Sequence, residues 1–97
     1  MILTFLNQGT EDVFNGKNTK QARKVCPASI TRIAVRKLDQ INVATILNDL
    51  RAPPHNHLES LLGDRLGQHS IRINNQYRIC SFWTNTGASQ VEIVDYH

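Results

Sequence analysis

The chain has 97 residues, of which 40% are hydrophobic and 20% are charged. This length supports one hydrophobic core and excludes two domains of ordinary size, and the composition excludes an intrinsically disordered chain. Eleven Lys and Arg against eight Asp and Glu give a formal net charge of +3, which is compatible with a polyanionic partner without requiring one. We therefore expect residues 1–97 to form a single globular domain.

The sequence shows neither a membrane span nor a signal peptide, and its two cysteines indicate no metal site. No apolar run approaches the roughly 18 residues of a membrane span, and the first residues lack the basic region and cleavage site of a signal peptide. We therefore expect a cytoplasmic protein with no membrane association. Cys26 and Cys80 fit no metal-ligand spacing, so we expect buried free thiols rather than a disulfide bridge or a nucleophile.

The N-terminal part predicts a strand and a short helix. Residues 1–6 are apolar and are typical of a buried strand, or of the lead into one. Thr10 is a suitable cap for a helix that ends at Gly16. Four cations then fall within eight residues, at Lys17, Lys20, Arg23 and Lys24. This segment is either a solvated connection or a basic strip that contacts phosphates.

A longer helix is predicted over about 27–41. Apolar residues recur at helical spacing at Ile30, Ala34, Leu38 and Ile41, and the opposite side carries Arg32, Arg36, Lys37 and Asp39. Residues 44–50 add another turn or two before the two prolines of the 51–57 stretch end the helix. His55 and His57 follow the prolines. They are exposed loop residues, ligands of a metal ion, or groups at the edge of a substrate groove. Two histidines without a third ligand are only a weak signal for a metal site.

Three strands are predicted after the helices, over about 67–74, 77–84 and 90–95. The order of one strand, helices and then an antiparallel run indicates an α+β fold. In this arrangement the helices cover one face of the sheet and leave the other face free.

The turn length sets the register of the first hairpin. If residues 74–76 form a three-residue loop, Arg72 lies opposite Arg78 and the hydrophobic side chains share one face. A two-residue loop would instead bury Arg78 among isoleucines, which is unfavourable. In the three-residue register Asn75 takes the left-handed position that the loop needs, and the second face carries Ser70, Arg72, Arg78 and Cys80.

Two arginines opposite each other repel, so this arrangement is unfavourable for stability and typical of a functional site. Both guanidiniums offer planar donor pairs suited to a phosphate. The alternative is that Arg72 or Arg78 forms a surface ion pair with Glu92 or Asp95.

The last strand is predicted to bring Asp95, Tyr96 and His97 to the rim of the arginine face. A histidine transfers protons near neutral pH, a tyrosine donates to a reacting oxygen, and an aspartate orients the imidazole. Together with the arginines, these groups fit RNA cleavage in which the 2′-OH attacks its own phosphodiester.

Phe5 and residues 14–16, 50–54, 63–73, 76–80 and 91–97 closely resemble HigB-type toxins. These form the plasmid maintenance killer branch of the RelE/ParE superfamily, and the GraT-like subgroup is the nearest match. The resemblance implies a RelE-like α+β microdomain over residues 1–97, with an N-terminal strand and two or three helices packed on one face of an antiparallel sheet. It also implies a type II toxin that cleaves mRNA in the ribosomal A site, without a metal or other cofactor.

The implied partners are the ribosome, mRNA and a HigA-like antitoxin with a helix-turn-helix domain. The toxin–antitoxin pair would repress its own operon, and only the antitoxin would contact operator DNA. The family motif assigns catalysis to Arg78, Asp95, Tyr96 and His97. Arg72 is a less direct match, because some relatives carry this cation two residues later, where this chain has Asn74.

Many relatives carry a His and a Lys just before the Gly-Asp turn, where this chain has Glu59 and Leu62. Glu59 and His57 are therefore candidates for the general base, and Arg65 within the turn is a candidate RNA contact. Two other functions remain open. One is a ParE-like toxin that binds a protein such as gyrase, and the other is a ribosome- or RNA-binding module without chemistry.

Overall fold

A computed structural model describes residues 1–96, so His97 lies outside the described residues. The helices and strands are α1 Gln8–Phe14, α2 Lys20–Val25, α3 Thr31–Val43, β1 Glu59–Ser60, β2 Gln68–Arg72, β3 Tyr77–Trp83 and β4 Ala88–Asp95. The strands form one sheet in the order β1-β2-β3-β4, and every neighbouring pair is antiparallel. This confirms the predicted α+β class. Within residues 1–96, no helix is both long and apolar enough to cross a membrane.

The N-terminal segment pairs with β4 as an extended fifth element. Isolated parallel bridges join Ile2 to Ala88 and Phe5 to Val91, which agrees with the predicted lead into a strand. The predicted burial of residues 1–6 is observed on one side of this segment only. Ile2 and Phe5 are partly buried, whereas Leu3 and Leu6 are exposed.

Helix α1 begins earlier than the sequence pattern predicted. Its cap is Asn7, whose Oδ1 accepts from Thr10 N at 2.8 Å, so the expected Thr10 cap is wrong. Thr10 is instead 0% exposed, and its hydroxyl oxygen accepts from the backbone N of Ile93 in β4 at 3.1 Å. The helix ends as predicted before Gly16, whose φ is +75°.

The basic segment contains a helix that its charge pattern conceals. The side chain of Thr19 caps α2 by accepting from Ala22 N at 3.1 Å. The same hydroxyl donates to Asp12 Oδ2 at 2.6 Å, and Gln8 Nε2 donates to Asp12 Oδ1 at 2.8 Å. A buried carboxylate therefore joins α1 to the start of α2, so this segment is not an irregular connection.

The buried residues of helix α3 match the predicted apolar stripe, with the addition of Lys37. A 3₁₀ turn at Ala28–Ile30 precedes it, and Ala34, Leu38 and Ile41 are buried as expected. Lys37 was predicted on the solvent side but is only 3% exposed. Its Nζ donates to the side-chain oxygen of Asn56.

One core joins the three helices to one face of the sheet. Val13 of α1, Ala22 of α2 and Leu38 of α3 belong to the same buried cluster as Ile79 and Ile93. Cys26 and Cys80 are both buried free thiols, as predicted. Burial raises the pKa of each thiol, so both stay protonated at neutral pH.

Replacing Thr10 with Val should remove the acceptor for the Ile93 N–H and leave a buried donor unpaired. We expect a loss of about 1–3 kcal/mol in the free energy of unfolding, measured by urea denaturation. Thr4→Val is the matched control. Thr4 accepts from Gln90 N at 2.8 Å at an exposed site, where water can replace it. Equal losses in the two variants would contradict the buried role of Thr10.

Asp12 should make stability depend on acid pH. Hydrogen bonds from Thr19 and then Gln8 hold the pKa of the Asp12 carboxyl below its ordinary value. Such a group stabilises the fold above its unfolded pKa, and this contribution is lost as the pH falls through its folded pKa. The difference in unfolding free energy between the wild type and Asp12→Asn should therefore shrink from about pH 6 to about pH 2. A constant difference would refute this. Asp39→Asn, a change at an exposed residue of α3, serves as the control.

Candidate functional site: an arginine pair on the second face of the sheet

The hairpin between β2 and β3 has the predicted register. Arg72 pairs with Arg78, and Ile71 pairs with Ile79. The loop conformation differs from the expectation, because Asn75 is not among the described residues with positive φ. The loop is held instead by Asn74, whose Oδ1 accepts from the backbone N atoms of Gln76 and Tyr77 at 2.9 and 2.7 Å.

Arg78 is buried, with 7% of its surface exposed. Its Nε donates to Ser70 Oγ at 2.8 Å, and its Nη2 donates to the backbone carbonyl of His57 at 2.7 Å. The Glu59 carboxylate lies 3.5 Å from the same Nη2. The face predicted to be free is therefore covered at its centre, because a buried guanidinium needs several acceptors around it.

Arg72 differs from Arg78 in its surroundings. It is partly exposed, and its side chain makes no hydrogen bond or ion pair with the residues that the structure describes. Among the described residues, ion pairs join Arg78 to Glu59 and, at 3.2 Å, Arg65 to Glu92. The predicted alternative of an Arg78–Glu92 pair is therefore wrong, and the guanidinium of Arg72 is available to an anion.

The C-terminal residues Asp95 and Tyr96 lie on opposite faces of the sheet. Tyr96 is 44% exposed, and Arg78 Cζ lies 5.8 Å from the centre of its ring. Asp95 pairs with Tyr77, so strand alternation assigns it to the opposite face. Its carboxylate accepts from Gln76 Nε2 at 3.1 and 3.2 Å. The expected placement of Asp95 beside the arginines is therefore corrected, while the His97 prediction falls outside the described residues.

Residues 57–59 surround Arg78 with acceptor groups, one of which was not predicted. The backbone carbonyl of His57, rather than its imidazole, contacts Arg78. Glu59 lies in the short strand β1, opposite Ser70, with its side chain 55% exposed beside Arg78. A carboxylate that is half exposed and adjacent to the arginine pair is a suitable proton acceptor for a substrate bound there.

The remaining predicted RNA contacts are dispersed. Lys17, Lys20, Arg23 and Lys24 are exposed around α2, in the helical layer on the side of the sheet away from Arg78. Arg65 is partly occupied by Glu92 and by Gln68 Oε1 at 3.0 Å. Asn74 is committed to the loop. Within residues 1–96, no group of three or more His, Cys, Asp or Glu side chains is placed to hold a metal ion.

Ser70 is the site residue that was not predicted to have a role. The hairpin register had placed it on the arginine face, two residues from Arg72, and a hydroxyl is a ready acceptor for a buried guanidinium. That register was the signal for its contact with Arg78. The contact with the His57 carbonyl has no comparable signal, because every residue carries a carbonyl.

Comparisons with known proteins agree with this architecture. A family model described as the RelE-like toxin of the type II toxin–antitoxin system HigB matches residues 3–97. Toxin HigB-1 of Vibrio cholerae is 36% identical over 85 residues, which cover 88% of this chain and 86% of that protein. An uncharacterized protein of Haemophilus influenzae is 45% identical over 51 residues, which cover 53% of this chain and 50% of that protein.

Among solved structures, a chain of the YoeB-YefM complex from Staphylococcus aureus matches with a TM-score of 0.60. The match covers 100% of this chain and 98% of that chain at 13% sequence identity, so it supports the fold alone. The family match and the 36% identity to a HigB toxin extend over most of the sequence. The chain therefore belongs to the HigB-like family, the RelE-like toxins of type II toxin–antitoxin systems.

Proposed function

We propose that residues 1–97 act as one cytoplasmic toxin domain that cleaves mRNA in the ribosomal A site without a metal ion and so stops translation and growth. The observation that carries this proposal is the opposed pair of Arg72 and Arg78. Arg78 is fixed in place by buried contacts, whereas Arg72 has no partner among the described side chains.

The donors of Arg78 support phosphate binding. Its Nε and Nη2 are used by Ser70 and His57, and its Nη1 makes no hydrogen bond with the described residues. A guanidinium carries five N–H donors, so Nη1 and the whole of Arg72 are left for a phosphate. Two arginines against the single carboxylate of Glu59 leave the site with a net positive charge, which favours a phosphodiester over a neutral ligand.

The reaction we propose uses a nucleophile that RNA itself supplies. The 2′-oxygen forms a bond to phosphorus and loses its proton to Glu59, while the bond from phosphorus to the 5′-oxygen breaks. The departing oxygen takes a proton from His97. Arg72 and Arg78 stabilise the charge that develops on the phosphorane oxygens, and Tyr96 orients the phosphate beside Arg78.

The proposed partner is a HigA-like helix-turn-helix antitoxin, through which the pair contacts operator DNA. Membership of a toxin–antitoxin family supports an antitoxin partner. The structurally similar Staphylococcus aureus chain was also solved in a complex, YoeB-YefM.

Cleavage should depend on the arginine pair and on the terminal histidine. Arg72→Ala, Arg78→Ala and His97→Ala should each lower the rate of mRNA cleavage by about 10²- to 10³-fold, as for other groups that stabilise transition-state charge. The measurement is translation of a reporter mRNA with purified ribosomes and mapping of the new 5′ ends. Arg32→Ala, an exposed change of the same charge on α3, is the control and should cleave normally.

The same assay separates the competing functions. Intact mRNA with translation blocked by the wild type would refute the nuclease and indicate a ribosome-binding inhibitor. Inhibition of gyrase with untouched mRNA would instead indicate a ParE-like toxin.

Expression should be toxic unless an antitoxin is present. Because free wild-type protein should stop translation in its host, we expect transformants only when the antitoxin gene is co-expressed or when Arg78→Ala is introduced. The measurement is the count of viable colonies after induction of each version, with soluble protein checked by gel. High yields of soluble wild-type protein from healthy cells would contradict the proposal.

A further inference from the structure

Lys37 and Asn56 form a buried polar pair beneath the loop that carries His57. Lys37 is 3% exposed and Asn56 is 0% exposed, and Lys37 Nζ donates to Asn56 Oδ1. No carboxylate among the described residues forms an ion pair with Lys37. Burial, aided by the charge of Arg36, lowers the pKa of Lys37. A buried ammonium with only a neutral partner is unfavourable for folding, so stability does not explain its presence.

Asn56 uses its amide group to fix the surrounding chain. Its Nδ2 lies within hydrogen-bonding distance of Gln40 Oε1 at 3.0 Å and of the carbonyls of Leu50 and Ala52 at 3.1 and 3.3 Å. Lys37 occupies the remaining acceptor of this side chain. Asn56 therefore ties helix α3 and the backbone at residues 50–52 to the position directly before His57.

The backbone after Asn56 adopts an unusual conformation. The N–H of His57 donates to Pro54 O at 3.1 Å, and His57 itself has φ 46° and ψ 58°. Few residues other than Gly adopt the left-handed region, and they persist there only where the surroundings hold them. In this conformation the His57 carbonyl accepts the 2.7 Å hydrogen bond from Arg78 Nη2.

We infer that Lys37 and Asn56 are positioning residues, which fix the Arg78 guanidinium by holding the His57 carbonyl against it. This inference rests on the proposed role of Arg78 in phosphate binding. Ser70 alone would leave the guanidinium free to turn about its Nε contact. Glu59, 3.5 Å from Nη2, would then draw Arg78 into a closer ion pair and neutralise the charge meant for the phosphate.

The decisive variant is Lys37→Met, which keeps the aliphatic chain and removes the buried charge. Removing the ammonium relieves the cost of burying a charge, but it also leaves the buried Oδ1 of Asn56 without its donor, so the two effects on stability oppose each other. We therefore expect only a small change in the urea midpoint, while single-turnover mRNA cleavage on ribosomes falls by about 10- to 100-fold, as for other misplaced catalytic groups. Undiminished cleavage would overturn the inference.

Asn56→Ala tests the same link from the loop side through a double-mutant cycle. If Asn56 acts through Arg78, Asn56→Ala should slow cleavage in the wild type but add no further loss in the Arg78→Ala background. Losses that multiply in the double mutant would overturn the inference. Thr10→Ala is the matched control, because Thr10 is equally buried but lies at α1 and β4.

A measurement that needs no RNA separates this inference from the proposed function. The NMR signal of the Arg78 Nε–H group should shift in Lys37→Met and in Asn56→Ala, and should stay in place in Thr10→Ala. An unmoved signal would overturn the inference even if the wild type cleaves mRNA. A shifted signal in a protein whose wild type cleaves no mRNA would support the link to Arg78 and refute the nuclease instead.

Discussion

The burial of the Arg78 guanidinium is the constraint on which the second face of this sheet depends. A charge that is largely removed from water requires acceptors on several sides. Here they come from three separate elements: Ser70 in β2, Glu59 in β1 and the carbonyl of His57. The two-residue strand β1 is explained by this requirement, since its pairing with β2 places Glu59 opposite Ser70. A longer strand is not needed to bring one carboxylate to one arginine.

Several features that oppose stability lie along one path through the molecule. Arg72 and Arg78 face each other across a strand pair, and His57 adopts a left-handed conformation. Lys37 is buried and has no carboxylate partner among the described residues. Helices α1 and α2, by contrast, have ordinary side-chain caps, Asn7 at α1 and Thr19 at α2. Local conflicts of this kind are expected where a fold has been shaped for function as well as stability.

Sequence reasoning succeeded where a pattern is strictly periodic. The alternation of Ile71 and Ile79 with the arginines fixed the hairpin register, and the helical spacing of Ala34, Leu38 and Ile41 located α3. It failed where a polar partner decides the outcome. Lys37 was assigned to solvent because its buried partner Asn56 lies 19 positions away in the sequence. Helix α2 was missed because its cations conceal one buried alanine and one threonine cap.

The side of the sheet on which Tyr96 lies is decided by a single irregularity in β4. Ala88 pairs with Trp83, but the register shifts by one residue between the pairs of Phe82 and Cys80. Gln90 lies at this bulge with φ +52°, and its N–H donates to the hydroxyl of Thr4.

Without the extra residue in β4, alternation would turn Ile93 toward the arginine face and Tyr96 toward the core. The bulge therefore allows one strand both to bury Ile93 against Ile79 and to bring Tyr96 over Arg78. The sequence carries a trace of it, since the buried residues Ala88 and Val91 are three positions apart, which an unbroken strand would place on opposite faces.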